Sequence, residues 1–165
     1  MIFPENRLLL FRIMLKGEIE LSNNPIDTLP PRTMPNVVLQ PSGWPRPKGY
    51  ANGIKARGDL LFIGGMVGWD EHGRFPADFV GQTRQLLANI VAVLAEGGAA
   101  PRHIVRMTWY VRDMDEYLNA RPSLGDVYRE VMGEHYPAMS LVAVTRLVEP
   151  EARLEIETTA VVPER

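Results

Sequence analysis

Residues 136–162 read YPAMSLVAVTRLVEPEARLEIETTAVV, and the order of signals in this stretch decides the fold. Pro137 anchors a turn, an apolar run follows, Glu149-Pro150 marks a second turn, and acids then alternate with apolars. Leu154, Ile156 and Ala160 fall on one side of the last segment and Arg153, Glu155 and Glu157 on the other, the two-residue period of a pleated strand. Two C-terminal strands are expected, and the carboxylates of the second are either solvated or functional.

Upstream of that pair, residues 115–132 read as a helix, carrying Leu118, Leu124, Val127, Tyr128 and Val131 at helical spacing; Pro122 falls inside the pattern and offers an alternative start for the helix proper. Ile104–Val111 reads as a strand, with Val105, Met107, Trp109 and Val111 on one parity and Arg106, Thr108, Tyr110 and Arg112 on the other. Phe79–Glu96 reads as a helix, because Leu86, Leu87, Ile90, Val91 and Leu94 form one stripe and Gly97-Gly98 stops it. Before a loop over residues 70–76, residues 51–56 are expected to pair with Leu60–Met66 through Arg57-Gly58-Asp59 as a hairpin. Gly64-Gly65 lets the backbone of that second strand approach a ligand or a partner closely. PSGWPRPKGY, residues 41–50, is a turn-rich lead-in.

The order strand, strand, helix, strand, helix, strand, strand predicts an α+β domain, a mixed sheet with two helices on one face. Leu60–Ile63 and Leu141–Val144 are apolar at both parities, as strands buried on both faces are. Nothing else in the domain covers the second face, so a further copy of the chain is expected there, the alternative being that residues 1–33 fold back over it.

Charge and composition narrow the function. The 165-residue chain has a net charge of −2 and no Lys/Arg block, so no nucleic-acid partner is expected. It has no cysteine, and His72, His103 and His135 lack ligand spacing, so neither a metal site nor a cofactor is expected. Residues 1–33, rich in Asn and Pro towards their end, read as a flexible extension to a domain over 34–165. The run Leu8–Phe11 is too short for a bilayer span and lacks a cleavage pattern, so a cytoplasmic protein without membrane partners is expected.

Gly49-Tyr50, the strand end Ile63–Val67, Gln82-Thr83, Asn89, Leu94, Gly97-Gly98, Tyr128, Tyr136-Pro137-Ala138 and Leu154-Glu155-Ile156-Glu157 follow one another in an order that resembles the Rid family, the reactive-intermediate (imine/enamine) deaminases also called YjgF-like proteins. The resemblance covers about residues 41–163. It implies a chorismate-mutase-like α+β fold, a homotrimer and a small-molecule cleft at each subunit interface. In deaminating members an Arg follows Pro-Ala and grips the substrate carboxylate; here that residue is Met139, which cannot.

Further departures run the same way. The family's Ser-Gly-Gln strand end is Gly64-Gly65-Met66, its Asn three residues before Tyr128 is Gly125, its Cys two residues past the lost Arg is Leu141, and Ala51-Asn52 follow Tyr50. The resemblance therefore implies Glu155 as the residue that orients the attacking water, with Tyr50, Ala51, Gly65, Gly125, Met139 and Leu141 as substrate-binding positions in an unusually apolar cleft. Arg46, Lys48 and Arg146 are candidates to replace the cation, although each reads more readily as a solvated surface charge. Trp44, Trp69 and Trp109 read as core or interface aromatics. Two functions follow: a hydrolase for imines or enamines other than simple 2-imino acids, favoured by Glu155, or a non-catalytic small-molecule-binding trimer, favoured by Met139. The enzyme reading is preferred.

Overall fold

A computed structural model describes residues 36–163. The extension expected over residues 1–33 lies outside that range. The elements are β1 Val37–Leu39, β2 Gly53–Lys55, β3 Asp59–Met66, α1 Phe79–Glu96, β4 Ile104–Val111, α2 Met114–Met132, β5 Ala138–Ala143 and β6 Leu154–Val162. Four strands form a mixed sheet in the order β3-β6-β4-β5, with β4 and β5 parallel and the other pairs antiparallel. Both helices pack on one face, the α+β arrangement that the element order predicts.

The hairpin expected between residues 51–56 and 60–66 does not form. β2 pairs instead with β1, Val38 opposite Ile54, while β3 pairs with β6, Leu61 opposite Ala160. Gly58 carries the reason: its φ is +145°, and a Cβ there would lie 2.0 Å from the Val162 carbonyl oxygen. The turn after β2 is thus pressed against the end of β6, which takes β3 as its neighbour and leaves β2 to the short β1.

The second helix also starts earlier than its proline suggests. Asp113 caps it, accepting from the backbone of Asp115 and Glu116, and Pro122 sits inside on the exposed side. Water can there serve the carbonyl that the missing proline N–H leaves free. α1 behaves as its stripe predicts: Leu86, Leu87, Ile90 and Leu94 are fully buried, and truncating any one to alanine costs about 2–5 kcal/mol.

Register assigns the two sheet faces. Met107, Trp109 and Val111 of β4 and Leu154, Ile156 and Ala160 of β6 lie in the core beneath the helices. Met139 and Leu141, opposite Met107 and Trp109, share that helix-side face. Glu155 and Glu157, opposite Tyr110 and Thr108, lie on the other face. That face also carries Leu60 and Phe62, 63% and 73% exposed, so a large apolar area of one chain stands uncovered.

Candidate functional site

A cleft of about 370 Å³ opens between α2 and β5. The helix supplies Tyr117, Arg121, Leu124, Gly125 and Tyr128, which recur every three or four residues and so share one face. The strand supplies Met139, Ser140 and Leu141, Trp109 forms the wall from β4, and the lead-in contributes Lys48, Gly49 and Tyr50. Tyr128 donates from its hydroxyl to the His135 carbonyl at 2.9 Å and stacks on Tyr136 with ring centroids 5.3 Å apart. Burial raises the pKa of its phenol, so it stays a neutral donor. Trp109 Nε1 is buried without an acceptor among the described residues.

Four expected binding positions, Tyr50, Gly125, Met139 and Leu141, therefore meet in one place. Ala51 does not line it: it is buried beneath, its N–H donating to the Pro137 carbonyl at 2.8 Å and its backbone bridging Ala138. Its part is to pin the Tyr50 segment to the start of β5.

Gly65 and Glu155 lie elsewhere, in a second pocket of about 420 Å³ that also holds Trp69, Phe75, Val148 and Glu149. Glu155 is half-buried and its carboxylate lies across Gly65, where a Cβ would come within 1.8 Å of Oε1. Any Cβ at position 65 would force the carboxylate out of this position. Neighbouring Glu157 is engaged, 3.9 Å from Arg106 and beside Tyr110, whose pKa is raised by desolvation and by that carboxylate. Glu155 has no ion-pair partner among the described residues.

Two side-chain amides, one buried and one half-buried, hold this second pocket in place. Gln82, 2% exposed, donates to the Pro76 and Glu151 carbonyls, both at 3.0 Å, and accepts from Arg153 N–H at 2.9 Å, fixing the start of β6 to α1. Asn89 donates to the Val67 and Trp69 carbonyls at 3.1 and 2.8 Å, fixing the loop that follows β3. In that loop the Arg74 guanidinium, with the Arg74 and His72 amides, holds the Asp70 carboxyl down to about pKa 2.

Residues 45–162 match the endoribonuclease L-PSP family model. A RutC family protein of Pyrococcus horikoshii is 37% identical over 119 residues, 70% of this chain and 90% of its own. A crystal structure from Yersinia pestis, described as a member of the conserved Rid protein family, superposes with a TM-score of 0.69 at 30% identity, covering 78% of this chain and all of that one. The chain belongs to the Rid (YjgF-like) family. A Rid relative named 2-iminobutanoate/2-iminopropanoate deaminase, from Escherichia coli, is 30% identical over 68% of this chain and 86% of its own. The likeness extends to the fold, two helices on a mixed sheet as in the chorismate-mutase-like architecture.

Within this Rid chain the expected cations divide. Lys48 lines the cleft, whereas Arg46 and Arg146 are exposed and outside its lining. Arg121, which the sequence reading passes over, does line it. Trp109 and Trp69 are wall residues of the two pockets, and Trp44, expected in a core or interface, is 62% exposed. Among the described residues no group of His, Asp and Glu could hold a metal, and no helix is long and apolar enough to cross a membrane.

Proposed function

We propose that this Rid protein hydrolyses a C=N bond, of an imine or of the imine tautomer of an enamine, in a site that two copies of the chain complete together. The observation that carries the reading is Glu155: a half-buried carboxylate, without an ion-pair partner among the described residues, laid over a glycine whose missing Cβ gives it that position. It lies on the face of the sheet opposite Met139 and Leu141, so one chain cannot bring both to a single substrate. A neighbouring copy, covering the exposed Leu60 and Phe62, can present its Glu155 pocket to the cleft. The Rid family resemblance implies that the assembly is a trimer.

In this site water attacks the carbon of the protonated C=N group and passes a proton to Glu155, giving a neutral carbinolamine. Glu155 returns that proton to the amino nitrogen and then takes the hydroxyl proton as the C–N bond breaks, so that ammonia leaves and a carbonyl product remains. In this reading Tyr50, which lines the cleft, and the Gly65 strand end, which lines the second pocket, hold the substrate. Met139 cannot bind a carboxylate next to the reacting carbon, so simple 2-imino acids are poor substrates and bulkier, more apolar imines fit better.

A second reading, a binding trimer without turnover, has Met139 in its favour. Purified protein tested on imines generated in situ by a flavin amine oxidase from arylalkyl amines, which carry no carboxylate beside the C=N carbon, separates the two: ammonia release that falls about 100-fold or more in Glu155→Gln supports the hydrolase. No turnover of any imine, with ligand affinity intact, leaves the binder. Sedimentation showing a stable monomer at micromolar concentration would remove the shared site altogether.

A further inference from the structure

We propose that Arg121 anchors the substrate's acid group, and that the substrate is an aromatic or similarly flat acid whose carboxylate lies well away from its C=N carbon. This rests on the cleft described above and narrows its substrate class.

Helix α2 places Arg121, Gly125 and Arg129 four residues apart, so all three lie on one face, each about 6 Å along the axis from the next. Gly125 leaves open the space beside the Arg129 guanidinium: a Cβ there would lie 3.5 Å from its Nη1. Arg129 is already committed, hydrogen-bonded with Tyr136 and paired with Asp126, which raise its pKa. Arg121 pairs with no carboxylate among the described residues and opens into the cleft.

Lys48, the other lining cation, is an exposed point charge, whereas a guanidinium offers the planar fork that a carboxylate fits. Between Arg121 and Met139 the cleft is bounded by aromatic and apolar side chains, Tyr117, Leu124 and Trp109 among them. At about 370 Å³ it falls within the range of clefts that take ligands far larger than a three-carbon imino acid. The charge lost from position 139 on the strand is thus supplied from the helix, one turn beyond Gly125. A substrate that uses it must span the distance with a flat apolar body.

The test is calorimetric titration of the full chain with 3-phenylpropanoate, its uncharged amide and acetate. The expected result is that 3-phenylpropanoate binds at least tenfold more tightly than the amide, and acetate negligibly. Arg121→Ala should abolish the preference for the acid, Arg121→Lys should keep part of it, and Arg102→Ala, an exposed arginine outside the cleft, should leave it unchanged. Arg121 is itself exposed and unpaired, so its variants should fold, which a melting curve checks. Equal affinity for acid and amide, binding of neither, or an acid preference that survives Arg121→Ala would each overturn the proposal. Glu155→Gln separates it from the hydrolase reading. Arg121-dependent binding in a protein that hydrolyses no imine sinks that reading alone; Glu155-dependent hydrolysis with binding indifferent to Arg121 sinks only the anchor.

Discussion

Gly65→Ala is the smallest change that reaches the proposed base without touching it. The new methyl carbon would stand 1.8 Å from Glu155 Oε1, 2.7 Å from Cδ and 3.1 Å from Cγ. To restore ordinary contact the carboxylate must retreat by about 1.5 Å, which a change of side-chain rotamer allows at a cost of about 1 kcal/mol. Stability should therefore fall little. Catalysis should fall much more, because a displacement of about 1 Å at a reacting group costs on the order of 100-fold. The assay is ammonia release from an imine that the parent protein hydrolyses, with melting curves run alongside. Gly65→Ala should lose about as much kcat as Glu155→Gln, and the double variant should lose no more than either, since both changes disable one group. Full activity in Gly65→Ala would refute the placement of Glu155 as the base, and losses that multiply in the double variant would show that Gly65 acts on its own account.

Met139→Arg restores the cation next to the reacting carbon and should raise kcat/KM on 2-iminopropanoate by about 100-fold, roughly 3 kcal/mol of transition-state binding; no gain in a steady-state assay would mean that the cleft is shut to short acids for another reason. Gln82→Ala strands two carbonyls and one N–H that the buried amide now serves, so urea unfolding should show a loss of about 3 kcal/mol with an unchanged slope. Asp70 has a carboxyl pKa lowered from 3.8 to about 2, so its hold on the 70–74 turn is fully present above about pH 4 and lost as pH falls through about 2. Hydrogen exchange of the His72 and Arg74 amides should accordingly show no loss of protection between pH 8 and 5, and Asp70→Asn should remove that protection.

Much of this was legible in the residues. α1 follows from a stripe of leucines and isoleucine that only a helix can bury together, and β6 from alternation that puts Glu155 and Glu157 opposite Leu154 and Ile156. What escaped depended on distant contacts. Whether residues 53–55 join β3 is decided by Gly58 against Val162, more than a hundred positions away. That Met139 faces the helices while Glu155 faces outward depends on the parallel register of β5 on β4, which no local pattern encodes. The helix expected over residues 115–132 forms from Met114, and it puts Arg121 on the same face as Tyr117, Leu124, Gly125 and Tyr128. That this face borders a cleft depends on how α2 sits against β5, which the helical period does not encode.

The central claim is that cleft and carboxylate come from different copies, and subunit mixing tests it most directly. Gly125→Trp fills the cleft and leaves Glu155 intact; Glu155→Gln does the reverse. Each alone should be nearly inactive in imine hydrolysis. Unfolded together at equal concentration and refolded into mixed assemblies, they should regain about one quarter of the parent activity, the share of interfaces that join an intact cleft to an intact Glu155. Activity that stays at the level of the separate variants, in assemblies shown by mass to be mixed, would contradict a site shared between copies.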